Sequence, residues 1–173
     1  MHDRLVASEA PVDVERPPPR KRSPNKKRRI SRNLNPSVRN VLADGKPALL
    51  VELSGARAAG RFMSIDADDW LRVSSELGPC WTVAGSNRPS SWLVASGAEA
   101  AAAWARAAGQ RGAAPVASLA RVILSYEAVK GMVVRFRNGN PFDLRRANLL
   151  PLPRKEARSY RPDMPPVQIE EIH

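Results

Sequence analysis

Acid–base chemistry near neutral pH calls first on histidine, and this chain has two, His2 and His173, each at an extreme end. Residues so placed read as solvated, so no internal histidine is available as a general base. The single cysteine, Cys80, sits in Gly78-Pro79-Cys80-Trp81-Thr82-Val83 with no base near it in sequence. It reads as a small buried hydrophobe, and one cysteine forms neither an intramolecular disulfide nor a thiolate-rich zinc site. Carboxylates that could gather round a divalent cation are Asp66, Asp68, Asp69 and Asp143. The first three fit equally a helix start, where acids complement the positive end of the dipole.

The abundant chemistry is cationic. Against 17 Asp and Glu the 173 residues carry 28 Lys and Arg, a formal charge of +11. Arg20, Lys21, Arg22, Lys26, Lys27, Arg28, Arg29 and Arg32 fall in one acid-free run. Such a run repels itself until an anionic partner neutralises it. With five prolines and little apolar content up to Asn35, residues 1–40 are expected to be a disordered basic arm.

The elements that would position a site follow the arm. Ala48 to Leu53 and Phe62 to Ile65 read as short strands separated by Gly55 and Gly60. Asp66 reads as the N-cap of a helix from Ala67 to Leu77, stopped by Gly78, with Trp70, Leu71, Ser74 and Leu77 sharing a face. Trp81 to Ala84 and Ser91 to Ala95 read as a hairpin through Gly85 to Pro89. Ala98 to Ala108 is a helix anchored by Trp104 and ended by Gly109, and Ser118 to Ser125 is a shorter one whose packing Tyr126 closes. Met132 to Arg137 is a strand that Asn138-Gly139 reverses. Alternation puts Val134 and Phe136 on its core face and Arg135 and Arg137 on the other. Past Ser159 the Pro-rich, acidic residues read as loose, with 161–173 a flexible tail.

The segment Val133 to Leu149 resembles the signature of HNH endonucleases of the homing and phage type. Asn138-Gly139, Asp143, Arg145 and Asn148-Leu149 stand at matching places, and Ser118 to Ile123 resembles an upstream element of that family. Ile65 to Trp70, Trp81 and the hairpin after it resemble what precedes that element, so the likeness spans about residues 60–160. The Ala-rich helix has no counterpart in it. The resemblance implies an α+β fold: a ββα unit preceded by small strands and helices in a domain over 41–160, flanked by disordered tails.

Departures from the pattern bear on chemistry. The family needs a base to activate water and a cation to stabilise the leaving oxygen. Where the resemblance implies a metal-binding Asp, the His base, an upstream His and a third ligand, this chain has Arg135, Phe136, Ala120 and Ala157. Asp143 and Asn148 remain, read as a loop-capping acid and a loop-fixing amide. No catalytic residue, metal or cofactor is expected. Positive charge gathers instead at Arg135, Arg137, Arg145, Arg146, Arg154, Lys155 and Arg158. With Asn138 and the eight cations of the arm, these are the expected contacts to phosphate.

The expected function is a non-catalytic nucleic-acid-binding protein on an inactive HNH-like fold. DNA is the first partner and RNA the second. The alternatives are an active metal-dependent endonuclease with a rebuilt acid site, and a component of a ribosome or RNA-polymerase assembly with a protein partner. No apolar run approaches a membrane span, so the expected location is the cytoplasm: the nucleoid in a bacterium, the nucleus in a eukaryote.

Overall fold

The computed structural model describes residues 35–85, 93–96, 98–110, 115–125 and 127–172. Most of the expected arm, the expected turn from Ser86 to Pro89, the start of the expected strand at Ser91, Tyr126 with its expected packing role, and His173 lie outside the described residues. Among the described residues the fold is mixed α+β, with small antiparallel sheets and four helices.

The first sheet contains β1 (Val38–Ala43), β2 (Lys46–Glu52), β3 (Phe62–Ile65) and β9 (Ile169–Glu171), in the order β3-β2-β1-β9. β1 and β2 are joined by Asp44 and Gly45 at φ of 51° and 72°. Positive φ at both positions is what a tight hairpin turn needs, and Asp and Gly are residues that tolerate it. Leu49 and Val51 pair with Ile65 and Met63 and face the main core, while Val41, Ala43 and Ala48 form a second small cluster covered partly by Leu50 and Val167.

α1 (Ala67–Leu77) follows β3 and has the expected bounds. Asp68 and Asp69 lie in its first turn, and Gly78 ends it at φ 87° with its N–H on the Ser74 carbonyl. Its inward stripe is Trp70, Val73 and Leu77. Leu71 is 66% exposed, correcting the expected face, because one residue beyond Trp70 the helix has turned about 100°. Asp66 occupies the N-cap position but its carboxylate does not cap the helix; it accepts the Arg146 N–H instead, at 2.8 Å.

The second sheet is β4 (Thr82–Ala84), β5 (Leu93–Ser96) and β6 (Ala117–Ser118), in that order. α2 (Glu99–Ala107) buries Ala101, Ala102 and Ala105, and Trp104 packs on the core as expected. α3 (Leu119–Ile123) buries Leu119, Val122 and Ile123. Trp81 is the central plug: almost fully buried, it donates from Nε1 to the Gly78 carbonyl at 3.0 Å and accepts at its own carbonyl from the Ser54 N–H and hydroxyl. Cys80 next to it is half-buried and not the buried hydrophobe expected.

β7 (Met132–Phe136) and β8 (Leu149–Pro153) form a two-stranded ribbon, and α4 (Arg154–Ser159) follows directly. Asn138-Gly139 begins the reversal with a turn from Phe136, but the chain runs on to Leu149 before it pairs again. Val134 and Phe136 pack on the core, as alternation predicts. Beyond Ser159 the expected loose tail is instead a strap. Asp163 and Met164 donate backbone N–H groups to the Arg137 carbonyl, Gln168 exchanges hydrogen bonds with Asp44, and β9 pairs antiparallel with β1. Backbone pairing with distant strands holds a segment that has almost no apolar pattern of its own. The fold therefore passes the expected border at residue 160, and at the other end β1 starts inside the expected arm.

Candidate nucleic-acid interface

The long loop between β7 and β8 is built round one carboxylate. Asp143 is fully buried, and its Oδ1 accepts from the Ser64 hydroxyl at 3.0 Å and from Arg145 Nε at 2.9 Å. Its Oδ2 accepts from Asn138 Nδ2 and Arg145 Nη2, both at 2.8 Å. The bidentate pairing with a planar guanidinium is the geometry that compensates best for taking a carboxylate out of water. Asn148 holds the other side of the loop, donating from Nδ2 to the Asp143 carbonyl and accepting at Oδ1 from the Asn138 N–H. The acid and the amide thus have the structural roles read from the sequence.

Arg145 extends this network to the first sheet. Its side chain is 7% exposed; Nη1 donates to the Ala43 carbonyl at 2.9 Å and Nη2 to Asp44 Oδ2 at 2.8 Å. The hydrogen bonds to Asp143 raise its pKa, although desolvation works against them. Asp44 is held below the usual carboxylate range, chiefly by the Gln168 N–H and then by Arg145. Arg145 was expected to face phosphate, and here the structure corrects the sequence. A buried guanidinium bonded to two carboxylates and a carbonyl is spent within the fold.

Asn138 is corrected likewise, since its amide nitrogen serves Asp143 and its amide oxygen accepts the Asn140 N–H. Arg146 is half exposed, but Nε and Nη2 bond both oxygens of the buried Asp69 at 2.7 Å, and this pairing raises its pKa. Its charge links the loop to the start of α1. Arg135 donates through Nε and Nη2 to the Ala157 carbonyl near the carboxyl end of α4, where a cation complements the helix dipole. Arg137 pairs with Asp163 at 3.3 Å.

Three expected contacts remain outward. Arg154, Lys155 and Arg158 are exposed along α4, whose one buried residue is Ala157, and they form no ion pair among the described residues. The cations of the arm lie outside the described residues. Of the acids weighed as a rebuilt metal site, Asp69 and Asp143 are bonded to arginines and Asp66 to a backbone N–H. Among the described residues no group of three or more His, Cys, Asp and Glu side chains converges as metal ligands.

The sequence reading missed Asp44, Tyr160 and Asp163. The Asp44-Gly45 pair is a readable hairpin signal, whereas nothing local marks Asp163 as the partner of Arg137. Compared with protein-family models, curated proteins and solved structures, the chain matches none. No helix among the described residues is long and apolar enough to cross a membrane.

Proposed function

We propose that this protein binds nucleic acid without cleaving it, through an inactive HNH-like ββα unit formed by β7, β8 and α4 and through the basic arm. The observation that carries the reading is the helix laid against a hairpin with its cations outward. Arg135 ties α4 to β7, and Arg154, Lys155 and Arg158 are exposed on α4. Where the family resemblance implies an acid and a base, Arg135 bonds the helix carbonyl and Phe136 packs on the core. Duplex DNA is the proposed partner, held mainly by its phosphates.

The test is an anisotropy titration of the full chain against duplex DNA, single-stranded DNA and structured RNA over a range of salt, repeated with Mg²⁺ or Mn²⁺. With the arm and α4 both engaged, the log-log salt slope should be on the order of −6 to −10. The triple variant Arg154→Ala/Lys155→Ala/Arg158→Ala should make it shallower by about 2 to 3. Metal-dependent nicking would instead establish an active nuclease. Failure to bind any nucleic acid, with stable capture by a ribosome or polymerase, would replace the reading with an assembly role.

A further inference from the structure

The strap that follows α4 returns across the tip of the ribbon. Pro162 lies so close over Gly139 that a Cβ there would meet its Cγ at 3.1 Å. The Asp163 and Met164 N–H groups fasten the strap to the Arg137 carbonyl at 2.8 and 3.1 Å. The Asp163 carboxylate is then held between two donors, Arg137 Nη1 at 3.3 Å and the Tyr160 hydroxyl at 2.7 Å. Arg137 and Asp163 both remain open to water, with side chains 37% and 49% exposed. The same two donors can meet a phosphate oxygen, because carboxylate and phosphate present the same kind of charged acceptor to a guanidinium and a hydroxyl.

We propose that Arg137 and Tyr160 form a phosphate-binding site that the chain occupies with its own Asp163 carboxylate, and that a phosphate of the nucleic-acid backbone takes this place on binding. The inference rests on the function proposed above. It supplies a contact on the ribbon next to the cations of α4, since Tyr160 directly follows that helix with its N–H on the Glu156 carbonyl. The Tyr160 hydroxyl is held to its donor role, its pKa raised by partial desolvation and by Asp163. The exchange costs little, because an exposed ion pair is weak in water. Asp163 therefore acts as a competing anion that favours ligands carrying several phosphates over a single one.

The experiment compares full-length wild type with Asp163→Asn, which keeps an acceptor for Tyr160 and removes the charge. Duplex DNA should bind the variant about two- to fivefold more tightly. The salt slope should steepen by about one, the mark of one more phosphate contact. Arg137→Ala in the Asp163→Asn background should abolish the gain, and Tyr160→Phe should reduce it. Asp68→Asn, the same charge change on the exposed side of α1, should give no such gain. Unchanged binding by Asp163→Asn, a gain that survives Arg137→Ala, or an equal gain from Asp68→Asn would overturn the proposal. If neither wild type nor Asp163→Asn binds any nucleic acid, the functional reading falls. The site is then decided by titrating ¹⁵N-labelled Asp163→Asn with inorganic phosphate. Saturable shifts at the Arg137 guanidinium and the Gly139 amide that vanish in Arg137→Ala support it, and their absence overturns it.

Discussion

Replacing Arg145 by methionine tests whether this guanidinium is a structural element or a nucleic-acid contact. The substitution keeps the apolar stem and removes both bonds to Asp143 and those to Asp44 and Ala43. Asp143 is left wholly buried with the Ser64 hydroxyl and Asn138 Nδ2 as its remaining side-chain donors. Breaking a buried pair by removing one member costs about 3–5 kcal/mol, and the two surviving hydrogen bonds place this case near 3 kcal/mol. With m of about 1–3 kcal/mol/M, the midpoint of urea unfolding should fall by roughly 1–3 M, followed by tryptophan fluorescence. Adding Asp143→Asn should restore part of the loss, so that the two changes fall short of additivity by at least about 1.5 kcal/mol. Where Arg145→Met is still folded, DNA affinity and salt slope should match wild type. Additive effects, or a slope shallower by one with stability unchanged, would refute the structural assignment.

Other outcomes follow from the same geometry. Asp44 titrates in the folded chain below its ordinary 3.8, so the unfolded chain takes up the proton first as pH falls. Its stabilisation is therefore complete above the ordinary value and lost as pH falls through the folded one, and Asp44→Asn should flatten the acid limb of a stability–pH profile. Gly55 has φ 91° and a Cβ there would meet Thr82 Oγ1 at 2.8 Å, so Gly55→Ala should cost about 1–3 kcal/mol in urea unfolding, with partial relief from Thr82→Ala. Trp81→Ala should cost about 3–5 kcal/mol, whereas Leu71→Ala on the exposed side of α1 should stay within about 0.5 kcal/mol.

Elements with a local signal were legible in the sequence. Phe62–Ile65 and Ala67–Leu77 have the expected bounds because an apolar run, acids in the first turn and a terminal glycine lie within the elements or at their borders. The first half of β1 falls in the expected arm, since the strand opens with Val38, Arg39 and Asn40, all exposed. β9 is exposed throughout and is held by strand pairing with residues far back in the chain, which no window of sequence contains. The site divides in the same way. Asn138, Asp143 and Asn148 lie close enough in sequence for a loop network to be read. Apart from Asp143, two residues before Arg145, the partners of the buried or paired arginines do not: Asp44 is 101 residues from Arg145, and Asp69 is 77 from Arg146. Charge clustering was therefore visible in the sequence, and the neutralisation of part of it was not.

The short last strand also governs how the first sheet meets other chains. Without β9, the outer edge of β1 would present unpaired N–H and C=O groups next to Val41 and Leu42, a template for pairing with another molecule. β9 covers that edge with three residues, two of them Glu170 and Glu171, and such a brief, charged strand is a poor template for further addition. The ladder pairs Val41, near the start of the fold, with Glu171, and an Arg39–Glu171 ion pair 132 positions apart lies beside it, so closure depends on a long-range contact. Until that contact forms, the chain carries a sticky edge. Pairing with β9 removes that edge.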